Sequence, residues 1–344
     1  LSYINYNDFI KIMSTYKEIF GKYVRSVGSD PSAAVGEGEI WYNTSSNTFK
    51  SSVRVAAWSS GNNLNTARSY IAGGGTQNAA LGVGGYVGPP SGVRGNTEEY
   101  NGTSWSEQAD LGTTRYSTSR GLGTQTAFIA AGGNNPSANP VTNSELYNGS
   151  SWTATNALNT ARSYLSGFGT STAGLVVGGA NPRPSAVNNS ESFDGTNWTA
   201  NPATPFTVKN GATAGPATAG VFAGGAPGGP PTSTTASYEI NSTTWTTGNS
   251  LNVGRNSSGF GGQGATQTAA WLAGGLGTPS TTTATEHYDG TSWTTAAVIA
   301  TARGSMGGAG TQSLGLIFGG GPDTGLAATE EYSDVAAVKT LTTS

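Results

Sequence analysis

The sequence predicts an all-β fold, a six-bladed β-propeller with four-stranded antiparallel blades, because one pattern recurs six times along it. The pattern starts with a basic residue, passes a Gly-Gly doublet, ends in a tight turn before a Trp, and returns about every 47 residues. One copy runs Leu64-Asn-Thr-Ala-Arg68, then Gly84-Gly85, then Tyr100-Asn-Gly-Thr-Ser-Trp105. The next supplies Arg115, Gly132-Gly133 and Tyr147-Asn-Gly-Ser-Ser-Trp152. A repeat of this length made of short strands stacks one sheet per repeat around an axis. Gly and Pro make up about a fifth of the chain, which without the period would point to low complexity. The regular apolar strands argue against disorder.

Residues 1–27 differ from all that follows. Phe9, Met13, Tyr16, Phe20 and Tyr23 recur at helical spacing, with Ile10 and Ile19 widening the face and Lys11, Lys17, Lys22 and Arg25 mostly opposite. This predicts an amphipathic helix that either packs under the propeller or serves as an anchor into a larger assembly or oligomer. Asp8 and Glu18 dilute its basic side and disfavour a membrane-surface role. Residues 28–54 read as a linker followed by a hairpin over Glu39–Lys50, and the propeller is expected over 55–344. Its repeats lie near 64–110, 111–157, 158–204, 205–250, 251–298 and 299–344.

Within each repeat, strand a follows the basic residue: Arg68, Arg115, Arg162, Lys209, Arg255 and Arg303. Strand b is a short apolar run before Gly-Gly, as in Phe128-Ile-Ala-Ala131. Strand c carries an aromatic and strand d the Trp. Asn101-Gly102, Asn148-Gly149, Asp194-Gly195 and Asp289-Gly290 are expected to be tight c–d turns with positive φ at both central residues. The b–c connections are longer, and no two are alike. Because successive strands alternate in direction, the a–b and c–d turns share one face, and the variable b–c loops share the other with the d–a connections. Ring closure is open at this level. The last outer strand comes from the C-terminal Val335–Thr343, or from the Trp58 strand at the other end, or Trp58 belongs to an extra partial blade.

Two residues before its aromatic, strand c carries Glu98, Glu145, Glu191, Glu286 and Glu330. The fourth repeat changes both halves of the motif, with Lys209 for Arg and Tyr238 for Glu. That joint change predicts a buried Arg–Glu pair in each blade rather than acid–base chemistry, because Arg partners hold carboxylates ionised. The regular Trp58, Trp105, Trp152, Trp198, Trp245 and Trp293 are assigned to packing.

Charge is scarce, at net -3, and forms no basic stripe for nucleic acid. With no Cys and a single His, His287, the usual transition-metal ligand sets and Cys nucleophiles are out of reach, and no catalytic residue, metal or cofactor is expected. Gly73–Gly75 and Gly261–Gly264 lack the Gly-Lys-Ser/Thr of a phosphate loop. No apolar run approaches the ~18 residues of a membrane span, so no membrane insertion is expected. No signal peptide is evident either, but the chain opens at Leu1 rather than Met, so a lost export signal stays open. What the repeat does not explain are the b–c loops. Tyr86, Arg94, Asn134, Asn135, Asn181 and Arg183 are therefore the candidate binding residues.

The Gly-Gly after an apolar strand, the aromatic shortly before a Trp and the period together resemble the kelch repeat over residues 55–344. Some kelch-like propellers are copper oxidases, but their His and Cys ligands are lacking here. The segment Gly36-Glu-Gly-Glu-Ile-Trp-Tyr-Asn43, followed by Ser46-Asn-Thr-Phe... to Lys50, resembles stretches of tail-fibre and other virion proteins of tailed phages. The Ala328-Thr-Glu-Glu-Tyr332 stretch of a Gly/Ser/Thr/Asn-rich propeller resembles proteins from phages of marine cyanobacteria. This resemblance implies a non-enzymatic virion structural protein, a tail fibre or surface adhesin. Its partners would be other virion proteins and a host-surface glycan or protein, with a homo-oligomer left open. A secreted or cell-surface bacterial propeller that binds glycans or proteins is the alternative.

Overall fold

The computed structural model describes residues 24–31, 38–89, 92–228, 232–260, 265–277, 280–321 and 325–341. The apolar positions Phe9, Met13, Tyr16, Phe20 and Tyr23 of the expected helix lie outside the described residues. Arg25–Val27, read as the end of that helix, is a strand parallel to Ile40–Asn43. No helix occurs among the described residues, and none is long and apolar enough to cross a membrane.

The chain divides into two compact units, residues 1–56 with 334–344, and residues 57–333. In the first, Ile40–Asn43 and the start of Thr48–Gly61 form the expected hairpin. Asp30 Oδ1 accepts from Trp41 Nε1 at 3.0 Å and from Asn43 Nδ2 at 2.7 Å. The Asn43 and Trp41 bonds hold the Asp30 carboxyl below its ordinary range. Arg54 pairs with Asp334 at 2.9 Å across neighbouring strands.

The second unit is a six-bladed propeller. Blade 1 comprises Ala72–Thr76, Ala79–Tyr86, Val93–Tyr100 and Trp105–Gln108. Blades 3, 4 and 5 repeat this order from Ser166, Ala212 and Gly259. In blade 2 the inner strand is held by Ser119 N–H to Ala131 O and Ile129 N–H to Leu122 O rather than by a regular ladder. Blade 6 takes its inner three strands from Gly307–Gly310, Leu314–Phe318 and the start of Thr329–Thr340. Its outer strand is the end of Thr48–Gly61, which carries Trp58. So the N-terminal segment closes the ring, and Val335–Thr343 does not supply the outer strand.

The Trp bonds show why Trp58 belongs there. Four of the outer-strand Trp residues donate their indole N–H to a Ser or Thr on strand c of the preceding blade, whereas Trp245 and Trp293 do not. Trp105 reaches Thr329 at 3.0 Å, Trp152 reaches Thr97 at 2.9 Å and Trp198 reaches Ser144 at 3.0 Å. Trp58 follows the same rule, reaching Thr285 of blade 5 at 3.1 Å.

Each seam between blades buries one apolar cluster. Ala72, Leu81 and Val83 of blade 1 meet Phe128, Ala130 and Tyr147 of blade 2, for example. The Gly-Gly doublet latches the seams. At φ +63, a Cβ on Gly132 would lie 2.5 Å from Arg162 O of the next blade, while Gly133 N–H donates to that same oxygen at 2.8 Å. Glycine is required because the neighbouring backbone occupies the Cβ position.

Around the axis runs a closed ring of six backbone hydrogen bonds, each N–H donating to the residue one blade back. Tyr70 donates to Ser305, Ser117 to Tyr70, Tyr164 to Ser117, Asn210 to Tyr164, Ser257 to Asn210 and Ser305 to Ser257, at 2.8 to 3.0 Å. All six have φ between 53 and 58°. Left-handed backbone at non-glycine residues costs roughly 1–3 kcal/mol each and persists only where surroundings fix it.

Two expectations are corrected. The Asn-Gly and Asp-Gly turns are four-residue loops, Tyr100 pairing directly with Trp105. Only the glycine has positive φ, and the Asn or Asp side chain accepts from the two following N–H groups, as Asn101 Oδ1 does from Thr103 at 2.9 Å and Ser104 at 2.8 Å. Blade 4 alone among these hairpins turns through two residues, Asn241 pairing with Thr244. The second correction concerns Lys209. The carbonyl that latches blade 3 belongs to Val208, where Arg115, Arg162, Arg255, Arg303 and Arg68 stand at the other seams. Val208 therefore occupies the Arg position and Lys209 is one residue beyond it.

Candidate functional site

The five Arg–Glu pairs are structural. Arg68–Glu98, Arg115–Glu145 and Arg162–Glu191 all close at 2.7 Å, Arg303–Glu330 at 3.1 Å, and Arg255–Glu286 also pairs; both partners are buried throughout. Each carboxylate also ties down the d–a connection, Glu145 accepting from Gly112 N at 2.7 Å. Burial depresses the affinity of all five guanidiniums for their protons, and the facing Glu offsets part of that. In blade 4 the pair gives way to Val208, Tyr238 and Phe206, whose rings stack at 4.2 Å.

The residues used once converge elsewhere. At the axis, on the face of the b–c loops, a cavity of about 380 Å³ opens among Tyr70, Tyr164, Arg183, Lys209, Asn210 and Asn256. Tyr70 contacts Tyr116 and Tyr164 edge-on, with ring centroids 5.8 and 6.1 Å apart. Tyr86 packs on Tyr116 at 5.7 Å. Arg183, on an exposed loop, donates to Tyr116 Oη at 3.0 Å and lies over the Tyr164 ring at 5.2 Å. Lys209 Nζ donates to Pro184 O, and burial, reinforced by Arg183, lowers its affinity for a proton. Burial pushes the Tyr164 phenol further above its ordinary range. The lining holds two cations and no carboxylate. A volume of this size suits a small ligand or one sugar unit.

Beneath the mouth sits Arg120, buried in strand a of blade 2. Its Nη2 donates to Asn210 Oδ1 at 3.3 Å and its Nη1 to Ser258 O and Met306 O at 3.3 and 3.4 Å. Burial alone pulls its pKa down to about 10. Among the described residues no carboxylate pairs with it.

Of the six loop residues singled out in the sequence, Arg183 and Tyr86 join this cluster. Arg94 lies on strand c of blade 1 opposite Gly85, outside the cavity lining. Asn135 organises its own loop, its Oδ1 accepting from Ser137 N at 3.0 Å and Asn139 N at 3.1 Å. Asn181 starts the turn that carries Arg183, its N–H donating to Ser185 O at 3.2 Å. Asn134 is fully buried, and neither of its amide atoms has a protein partner. The sequence reading missed Tyr70, Tyr116, Tyr164 and Asn210. The available signal was that the one or two residues after the repeated basic position vary from blade to blade. Among the described residues no group of three or more His, Cys, Asp or Glu side chains could hold a metal.

The fold and the mouth define a six-bladed β-propeller with a tyrosine- and cation-lined axial opening. No protein-family model and no curated protein matches the chain. Among solved structures it is similar to the structure of YjhT, at TM-score 0.64 and 12% identity, over 81% of this chain and 99% of that one. At that identity the likeness is one of fold.

Proposed function

We propose that the chain is a non-enzymatic, kelch-like virion component of a tailed phage, a tail fibre or surface adhesin, that meets a host-surface glycan or another virion protein through its b–c loop face. The observation that carries this reading is the axial mouth. The struts of the fold recur from blade to blade, whereas Tyr70, Tyr164, Arg183 and Lys209 come together once, at the axial cavity. Tyrosine faces supply flat apolar contact with polar tips, and the two cations favour a carboxylate, sulfate or phosphate on the ligand. Negative-stain imaging with gold-labelled antibody against the propeller tests the assignment. Gold is expected on the tails or surfaces of tailed particles. Gold confined to a bacterial envelope would replace this reading with the cell-surface one.

A further inference from the structure

The six seams are not equivalent, and the repeat itself shows what one of them lacks. In four of them a Gln from the a–b turn of one blade reaches back to the preceding blade. Its amide N–H₂ donates to two main-chain carbonyls there, one near the start of strand b and one at the end of strand c. Gln77 holds Gly315 O at 2.9 Å and Tyr332 O at 2.6 Å; Gln125 holds Ala80 O and Tyr100 O at 3.2 and 2.7 Å. Gln267 holds Gly220 O and Ile240 O at 3.2 and 3.3 Å; Gln312 holds Ala270 O and Tyr288 O at 3.1 and 3.0 Å.

At the seam between blades 3 and 4 that Gln position is Ala217. The carbonyls it would meet belong to Gly174 and Phe193, which pair across strands b and c as Ala80 and Tyr100 do in blade 1. Two other ties, each made at only some of the seams, are missing here together with the Gln. Tyr100, Tyr147 and Tyr288 each donate a phenol to a Glu of the preceding blade, Glu331, Glu99 and Glu239. Here the corresponding residues are Ile240 and Ser192. The outer Trp245 also does not make the indole bond to Ser190 that Trp198 makes to Ser144. A cavity of about 340 Å³ fills the gap, lined by Gly174, Ser192, Phe193, Asn201, Ala217 and Trp245. The seam between blades 2 and 3 also lacks the Gln, but there Ser171 is buried and Phe193 packs in one cluster with Leu146.

We propose that the seam between blades 3 and 4 is a recognition socket for a Gln or Asn carboxamide presented by a partner polypeptide. The two carbonyls accept an N–H₂ group at the spacing that four internal glutamines already use. A carboxylate in the same place would set its oxygens against two carbonyl oxygens. The cavity has room for the side chain and the atoms that flank it, and Trp245 and Phe193 offer apolar walls. This socket lies at the a–b and c–d turns and does not depend on the axial mouth.

The test uses the full chain and N-acetyl-L-glutamine methylamide as the probe, with its glutamate counterpart and N-acetylglucosamine as comparisons. The indole N–H signal of Trp245, assigned through Trp245→Phe, is followed by NMR. A saturable shift is expected with the glutamine compound, and at least about tenfold weaker binding with the glutamate one, a difference of about 1.4 kcal/mol. Ala217→Gln is expected to fill the socket from within, raise Tm and abolish the shift, while Ala217→Ser leaves the shift in place. No saturable shift with the glutamine compound, an equal response to the glutamate compound, a response to N-acetylglucosamine alone, or a shift that survives in folded Ala217→Gln would each overturn the proposal. If Ala217→Gln does not fold, the contrast between the glutamine and glutamate compounds decides.

Discussion

Arg162→Ala is expected to destabilise the propeller by about 3–5 kcal/mol, the usual loss when one partner of a buried ion pair is removed. The Arg162 side chain is fully buried; its Nη1 donates to Gly178 O at 2.8 Å and Asn189 O at 3.0 Å, and its Nη2 to Glu191 at 2.7 Å. Truncation leaves the Glu191 charge inside, still accepting from Asn159 N at 2.7 Å but without its counter-ion. It also frees two carbonyls that the guanidinium had bridged between strands b and c. Blade 4 shows how a blade does without the pair: Phe206, Val208 and Tyr238 join the apolar cluster of their seam. Transplanting that solution as Thr160→Phe, Arg162→Val and Glu191→Tyr is expected to recover most of the loss, because apolar replacement of both buried charges is often neutral or better. Denaturant unfolding checks both variants. An unchanged midpoint in Arg162→Ala would remove the pair from the list of struts. A triple variant no better than the single one would mean that blade 4 relies on something else.

Trp58→Ala is expected to cost about 3 kcal/mol or more, at the lower end of aromatic truncations because Trp58 is half-buried. Its ring meets Tyr332 at 5.2 Å and Trp271 at 5.8 Å, and its indole N–H reaches Thr285 Oγ1 at 3.1 Å and Ala297 O at 2.9 Å. These contacts fasten the last-closing blade to blade 5 through a segment nearly the whole propeller away in sequence. Trp58→Phe keeps a ring and loses the two bonds, so about 1–2 kcal/mol of that cost is expected to remain. Thermal unfolding followed by circular dichroism measures both. Wild-type stability in Trp58→Ala would mean that the ring is not closed through this strand.

Much of the scaffold was legible because each device has a local signature. The Gly-Gly doublet marks a backbone approach that excludes Cβ, and the paired loss of Arg and Glu in one repeat marks a contact. Lys209 misled because it stands 47 residues after Arg162, whereas the third repeat is one residue short and the strut position falls at Val208. Ring closure could not be chosen from sequence, since Trp58 and the C-terminal segment both carry strand-like patterns. The indole bond to Thr285 decides it, and that bond depends on which blade lies alongside. The axial mouth was half legible. Arg183 stood out in an odd loop, but Tyr116 and Tyr164 sit one and two residues past their Arg and are brought together by the ring of positive-φ residues. The vacancy at Ala217 was present in the sequence as a missing Gln. It gains meaning only when the other glutamines are seen to cap the blade before their own.

The proposal that the repeated positions build the propeller while the unrepeated mouth binds is tested most directly by adsorption of the purified chain to cell envelopes of cyanobacteria, the hosts that the phage resemblance implies. Wild type and the double variant Arg183→Ala, Lys209→Met are compared at equal concentration, with Tm measured alongside. Loss of both cations is expected to weaken adsorption at least about tenfold, since charge-assisted contacts contribute about 1.5–3 kcal/mol each, while Tm changes little. Undiminished adsorption by the folded double variant would contradict the assignment of binding to the axial mouth.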